Sequence, residues 1–326
     1  MTFIIMLTVN GVFVIDNLHT GDESNIKDKK IIVTGGAGFI GSNLVEKLSE
    51  FNEVFVIDNL HTGDESNIKG LLNKRKVHFM KDDAKNLPNM DYHADYVFHL
   101  GIYSASPMYR KDPFLVAEVI SGMIGVLEYA KAHKSKVVFA STSSIYNSIE
   151  PPHREEIIPK VTDYYTEARI AAERLSELYS KLEGVNVQAI RFFSVYGPHE
   201  EAKKNYANLV TQFYWDIKNK QSPVIYGDGT QRRDFIHVND LVEIIIRASQ
   251  LKGFNILNGG TGKNYSLNEM LSKLNNHLGT NVEAKFIKMP INNYVMETLA
   301  DTSNLKKKLS FLPGIDLEEG IKLITK

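Results

Sequence analysis

Residues 31–58 read IIVTGGAGFIGSNLVEKLSEFNEVFVID, an order of residues that few folds can use. The β-rich run 31–34 enters a glycine-rich loop, Thr34 to Ser42, and a helical pattern opens at Phe39; a second β-rich run, 54–57, ends on Asp58. Two such runs joined by a helix close up as parallel neighbours. Gly36, Gly38 and Gly41 satisfy GxGxxG, and Gly35, Gly38 and Gly41 the related GxxGxxG. Glycines there permit a tight turn and let the backbone touch a pyrophosphate, at which the first N–H groups of the helix point. Asp58 stands about 20 residues further on, where a carboxylate accepts both hydroxyls of an adenosine ribose and repels a 2′-phosphate. The unit predicts a site for NAD rather than NADP, built from Gly35, Gly38, Phe39, Ile40, Gly41, Asp58 and Asn59.

The alternation continues along the chain. Runs at 77–80, 96–100, 137–140 and 187–192 are β-rich, and helical patterns cover 39–50, 113–133 and 165–182. Strands alternating with helices predict an α/β fold, a doubly wound parallel sheet with both faces covered. Beyond Gly197-Pro198 the pattern loosens into glycine-rich loops, YGDGTQ and NGGTGKN, which predicts a smaller C-terminal α/β substrate-binding region with the ligand between the two parts. A net charge of -1 leaves no basic excess for nucleic acid or an anionic membrane. With no cysteine, disulfides and thiolate chemistry are excluded, which is compatible with a reducing cytoplasm. No His or carboxylate cluster has metal-ligand spacing, so no metal is expected.

The N-terminus breaks the pattern. VFVIDNLHTGDESNIK, Val12 to Lys27, recurs unchanged from Val54 to Lys69. No fold needs the same strand and loop twice in this arrangement, and Asp16 lacks the glycine loop that gives Asp58 its role. Residues 1–15 are too short to span a membrane and lack the basic flank of a signal peptide. The first copy reads as a duplication or a start-site artefact. Residues 1–27 are therefore expected outside the core, which begins near Asp28. The expected division is 28–193 for the dinucleotide domain, with 235–258 returning to it, and 194–234 plus 259–326 for the substrate region.

A second group of residues follows the strand at 137–140. Ser141 to Tyr146 read STSSIY, a hydroxyl cluster at the C-terminal end of a parallel strand, where such sheets bind ligands. Tyr165 and Arg169 lie one turn apart on a predicted helix and so share a face. A tyrosine beside a cation can ionise below its free pKa of about 10 and act as a base. Alone, such a pair is an ordinary surface contact, and only the surrounding set gives it meaning.

That set resembles the extended short-chain dehydrogenases/reductases, specifically the NAD-dependent nucleotide-sugar epimerases typified by UDP-glucose 4-epimerase. The resemblance runs from residue 30 to the C-terminus through TGGAGFIGS, VIDNLHTG, KDD at 81–83, VFHL, FASTSSIY, YxxxR, RFFSVYGP, YGDGTQRRDFIHVNDL, FNILNGG and LADTSNLKKKL. It implies a Rossmann-type fold, a nucleotide-sugar substrate, UDP-linked by family habit, and a homodimer formed through the helices near 113–133 and 165–182. It also implies roles: Asp82 at adenine; Leu100 and Gly101 along the dinucleotide; Thr142 as the catalytic hydroxyl; Tyr165 as the base with Arg169 beside it, both also touching the cofactor; and Ser194, Asn208, Leu209, Tyr226 and Arg233 at the substrate.

Four positions depart from the family. Its YxxxK lysine is Arg169, a helix asparagine is Val119, the asparagine of RxFN is Ser194, and a late arginine at the diphosphate is Ile291. Arginine keeps the charge but presents a wider fork. Dehydratases of the family place Asp-Glu after the threonine, where Ser143 and Ser144 stand here. The decarboxylases' glutamate is missing before Tyr146, and epimerases that work by enolisation need a cysteine. A 4-epimerase acting by transient oxidation to a keto sugar remains the first expectation. Another nucleotide-sugar oxidoreductase, or a non-catalytic NAD-binding regulator, stays open. His99 reads as a structural histidine, and His153 and His199 as loop residues near the cleft.

Overall fold

A computed structural model describes the backbone of residues 5–9 and 12–16, and residues 26–72, 76–160, 163–289 and 295–326 in full. Seven strands form one sheet: β1 (Lys30–Thr34), β2 (Glu53–Ile57), β3 (Val77–Met80), β4 (Tyr96–His99), β5 (Lys136–Thr142), β6 (Val187–Phe192) and β7 (Phe254–Gly259). Their spatial order is β7-β6-β5-β4-β1-β2-β3, and every pairing is parallel. Central strands of such a sheet are covered on both faces. Ile31, Ile32 and Val33 are accordingly all fully buried, and the sequence there is continuously apolar rather than alternating.

The α/β expectation holds, and its boundaries shift for identifiable reasons. Helix α1 (Phe39–Leu48) stops at Ser49, before the expected residue 50. Helix α2 (Leu115–His133) starts two residues after 113, since Phe114 is its N-cap. Helix α3 (Tyr164–Glu183) is fixed at one end by Asp163, whose carboxylate accepts from Thr166 N at 2.9 Å, and at the other by Gly184 at φ 71°. Strand β5 runs on through Thr142, because β6 continues beside it and Thr142 pairs with Phe192. That extension carries the hydroxyl cluster to the carboxyl end of an interior strand. Strand β7 was not evident as an apolar run: Asn255 and Asn258 interrupt it, and each side chain is used in a hydrogen bond.

The helices are sorted by sheet face. Leu44, Val45 and Leu48 of α1 pack on Ile31, Val33 and Phe98 together with Leu241, Ile244 and Ile245 of a helix at Val238–Ala248. On the other face, Val119, Met123 and Val126 of α2 and Ala168 and Ala172 of α3 cover Ile32, Val97 and Phe139. A separate cluster holds the later part of the chain, with Val210, Phe213 and Ile217 against Met270, Leu274, Leu317 and Ile321.

The two copies of the repeat are used differently. Residues Glu53–Ile57 lie between β1 and β3 in the large sheet. Val12–Asp16 instead pairs antiparallel with Ile5–Val9, as a two-stranded ribbon of its own. Ile26, inside the first copy, is nevertheless buried in the core, and Asn52 Nδ2 donates to its carbonyl at 2.9 Å. The packed chain thus reaches back to Ile26, two residues before Asp28.

Candidate active site

A cleft of about 640 Å³ opens at the carboxyl ends of the strands, where β1 and β4 diverge toward opposite halves of the sheet. This is the point at which open α/β sheets receive ligands. Among its lining residues are Gly35, Gly38, Phe39, Ile40, Gly41, Asp58 and Asn59. Close backbone approach dictates two of the glycines. A Cβ on Gly35 would stand 2.4 Å from Gly101 N, and one on Gly41 would stand 2.0 Å from Gly35 O. Helix α1 then begins at Gly38 with no side-chain cap and no acidic residue in its first turn, so its leading N–H groups are left for an anion.

Asp58 follows β2 directly and is buried. Its Oδ2 accepts from Ala37 N at 3.0 Å and its Oδ1 from Leu60 N at 2.8 Å. Burial raises the carboxyl pKa above its usual range, and these backbone donors pull it the other way. Leu100 and Gly101 lie on the wall beside the glycine loop, as expected. Asp82 does not. Its Oδ1 accepts from Asp83 N at 2.8 Å and Asn86 Nδ2 at 2.7 Å, which pins the short turn after β3. Asp83 takes the wall position instead, and Asn59 Nδ2 donates to it at 3.2 Å.

Thr142, Tyr165 and Arg169 all line the same cleft. Thr142 Oγ1 accepts from Ser144 N at 3.1 Å, which holds the hydroxyl in place and leaves its own O–H to donate. Tyr165 sits in the first turn of α3, edge-on to Tyr109 at 5.5 Å. The Arg169 guanidinium lies 5.0 Å from the Tyr165 ring centre and donates through Nη2 to Tyr103 O at 2.8 Å. Among the described residues, its Nε and Nη1 are buried with no hydrogen-bond partner. Buried donors in that state cost stability unless a bound group accepts from them.

His99, at the end of β4, behaves as a neutral structural residue. Its Nδ1 meets Thr34 Oγ1 at 2.7 Å, and burial followed by the Arg169 charge pushes its pKa down to about 3. His153 lies on the wall, but its ring nitrogens are engaged with Ile149 O and Leu299 N. His199 is off the wall, bonded to Ser42 Oγ at 2.9 Å.

Tyr146, the last residue of STSSIY, belongs to a buried network rather than to the chemistry. Its hydroxyl donates to Asn258 Oδ1 at 2.7 Å and accepts from Arg191 at 2.8 Å, and burial raises its pKa. Arg191 in turn forks onto Glu173 at 2.9 and 2.7 Å, so charges from α3 and β6 neutralise each other inside the protein. The network locks β5, β6 and β7 to α3 and so fixes Thr142 relative to Tyr165.

On the substrate side the cleft includes Ser194, Asn208, Leu209 and Arg233. Arg233 donates to Val295 O at 2.6 Å and to Arg232 O at 2.8 Å. Tyr226 is absent from the wall. Strand alternation turns Ile225 into the core and leaves Tyr226 37% exposed. Val119 also lines the cleft, and Ile291 lies outside the described residues. Spacing alone did not reveal Asp83, Arg110, Lys203 and Glu297 as wall residues; Arg110 arrives on the six-residue helix Ser106–Lys111 and the others on loops and short turns, none with a periodic signal.

The chain belongs to the NAD-dependent epimerase/dehydratase family, whose model matches residues 31–259. It is 31% identical to a UDP-glucuronate 4-epimerase of Thermodesulfobacterium geofontis, over 89% of this chain and 93% of that protein. It is 32% identical to a putative UDP-glucose 4-epimerase of Methanocaldococcus jannaschii, over 90% and 96% of the two chains. Among solved structures, the UDP-N-acetylglucosamine 4-epimerase of Methanobrevibacter ruminantium M1, in complex with UDP-N-acetylmuramic acid, superposes with a TM-score of 0.86 at 30% identity, over 92% of this chain and 99% of that one. The protein is thus an NAD-dependent enzyme of nucleotide-sugar chemistry. The residues present fit the cofactor: an uncapped helix start behind a glycine cradle, a carboxylate at the end of β2, and unpaired Arg169 donors further along the cleft.

Proposed function

We propose that the protein interconverts nucleotide sugars epimeric at C4, with a UDP-glucose/UDP-galactose pair as substrates. One observation carries this reading. Thr142, Tyr165 and Arg169 line one cleft, and the positions beside the threonine hold Ser143 and Ser144, which also line it and carry no carboxylate. Without an acid there, elimination of water has no local proton carrier.

In this reading Tyr165 accepts the proton of the sugar C4 hydroxyl, and Thr142 donates a hydrogen bond to the same oxygen. NAD, when held by the glycine loop, Asp58 and Arg169, would supply the hydride-accepting and hydride-donating chemistry. Arg169 fixes a positive charge against Tyr165 and presents its unpaired donors to the cofactor ribose. An arginine side chain stays protonated at working pH, so it acts by its field and not by passing a proton. Asp58 holds the adenosine ribose, with Asn59 and Asp83 beside it. Asn208, Leu209, Ser194 and Arg233 take the nucleotide end of the substrate. The similarity to a putative UDP-glucose 4-epimerase supports the choice of sugar; the similarity to a UDP-glucuronate 4-epimerase supports the same reaction on an oxidised sugar.

Mass spectrometry of products tests the reaction class. Incubation with UDP-glucose or UDP-glucuronate should return a product of unchanged mass. Loss of water or carbon dioxide would assign the site to elimination or decarboxylation instead.

A further inference from the structure

The substrate-side wall of the cleft holds a lysine whose placement the reading above leaves unexplained. Lys203 lies in the short turn Glu201–Tyr206 between the strand Ser194–Tyr196 and the helix Leu209–Lys218. Its Nζ stands 5.3 Å from the ring centre of Phe39, the first residue of α1. A cation there faces the positive end of a helix dipole, which repels it. Burial lowers its pKa, and only the charge of Glu200 works the other way.

Glu200 does not satisfy it. That carboxylate is itself buried, and its oxygens accept from Gly197 N at 3.1 Å, Asn208 N at 2.6 Å and Thr211 Oγ1 at 2.5 Å. Among the described residues, the Lys203 ammonium makes no hydrogen bond or ion pair, and it lies over the face of Phe39. The turn holds the side chain inward at a cost. Lys204 takes φ 48° and ψ −120°, and its side chain goes to solvent while that of Lys203 goes to the cleft. Arg233, across the same cleft, already has Nη1 and Nη2 on backbone carbonyls.

We infer that Lys203 is a diphosphate-positioning residue, its ammonium completed by a phosphate oxygen of a ligand bound between α1 and the helix Leu209–Lys218. The inference rests on the nucleotide-sugar reading for the identity of the ligands. Two diphosphates fit the chemistry: the pyrophosphate of NAD at the start of α1, and the diphosphate of the sugar nucleotide near Asn208. Either anion would set a negative charge between the lysine and the helix end.

The experiment is calorimetric binding of NAD and of UDP to native protein, Lys203→Gln, Lys203→Arg and, as an exposed neighbour, Lys204→Gln. Lys203→Gln should weaken binding of at least one ligand by about tenfold or more, the worth of one charge-assisted hydrogen bond. Lys203→Arg should restore most of that loss, and Lys204→Gln should leave both affinities unchanged. A loss confined to NAD assigns the lysine to the cofactor, a loss confined to UDP assigns it to the substrate, and a loss in both assigns it to a bridge. Affinities for both NAD and UDP within twofold of native would overturn the inference. Binding is read without turnover, so failure of the epimerase reading would appear separately, as native protein that binds both ligands and converts no sugar.

Discussion

Tyr165 and Arg169 carry the chemistry in this account, and each substitution has its own signature. Tyr165→Phe removes the proton acceptor and spares the ring contact with Tyr109. Turnover should fall by roughly 100-fold or more while NAD stays bound, as steady-state rates and calorimetry would show; undiminished turnover would remove Tyr165 from the mechanism. Arg169→Lys keeps a cation but loses the planar fork. It should retain much of the activity with a shifted pH optimum, whereas a rise in KM with the pH profile unmoved would assign Arg169 to a substrate anion. His99 gives a pH prediction. Its pKa is about 3 in the fold against about 6.5 in an unfolded chain, so the unfolded state binds the extra proton between those values. Its contribution to stability is present above about pH 6.5 and is lost as pH falls toward 3. Denaturant unfolding at about pH 7.5 and about pH 5 should show native protein losing more stability than His99→Gln; equal losses would contradict a neutral buried histidine. The glycine loop and Asp58 were legible from the residues because they are tied to strand ends, whereas Thr142 and the Tyr–Arg pair took their places from the family resemblance; all of them line the one cleft. Asp82 missed the cleft by one residue, since a turn brings Asp83 to the wall instead, and Tyr226 lies off the wall on the exposed face of a short strand whose other face is in the core.

At the level of elements, six of the seven sheet strands were legible because parallel strands buried on both faces read as apolar runs. The seventh was hidden by Asn255 and Asn258, whose polar side chains are spent on hydrogen bonds inside the protein. The duplicated VFVID shows the limit of local reading. One copy pairs in parallel within the large sheet and the other pairs antiparallel with residues 5–9. Partner availability, not the sequence of the strand, decides between them. Deleting residues 1–25 should leave the unfolding midpoint and NAD affinity unchanged. Extending the deletion through residue 27 removes the buried Ile26 and should cost about 2 kcal/mol. Equal destabilisation by both truncations would place the ribbon within the fold.

Across the whole molecule, two helix faces and one cleft remain to be accounted for. Ile124 of α2 and Leu178 and Leu182 of α3 are 39%, 49% and 71% exposed on neighbouring helices. We expect this face to join two copies of the chain, so light scattering at micromolar concentration should report a dimer, and Leu178→Glu with Leu182→Glu a monomer; a monomeric native protein would contradict it. Among the described residues, no helix is long and apolar enough to cross a membrane. The central claim concerns the cleft, where a cofactor used and regenerated in each cycle need not be added. The direct test is proton NMR of purified protein incubated with UDP-glucose and no added NAD. The account predicts the anomeric signal of UDP-galactose growing to a constant ratio with UDP-glucose, without net reduction of cofactor. An unchanged spectrum with UDP-glucose, UDP-N-acetylglucosamine and UDP-glucuronate alike, or a keto sugar accumulating with one equivalent of NADH, would contradict it.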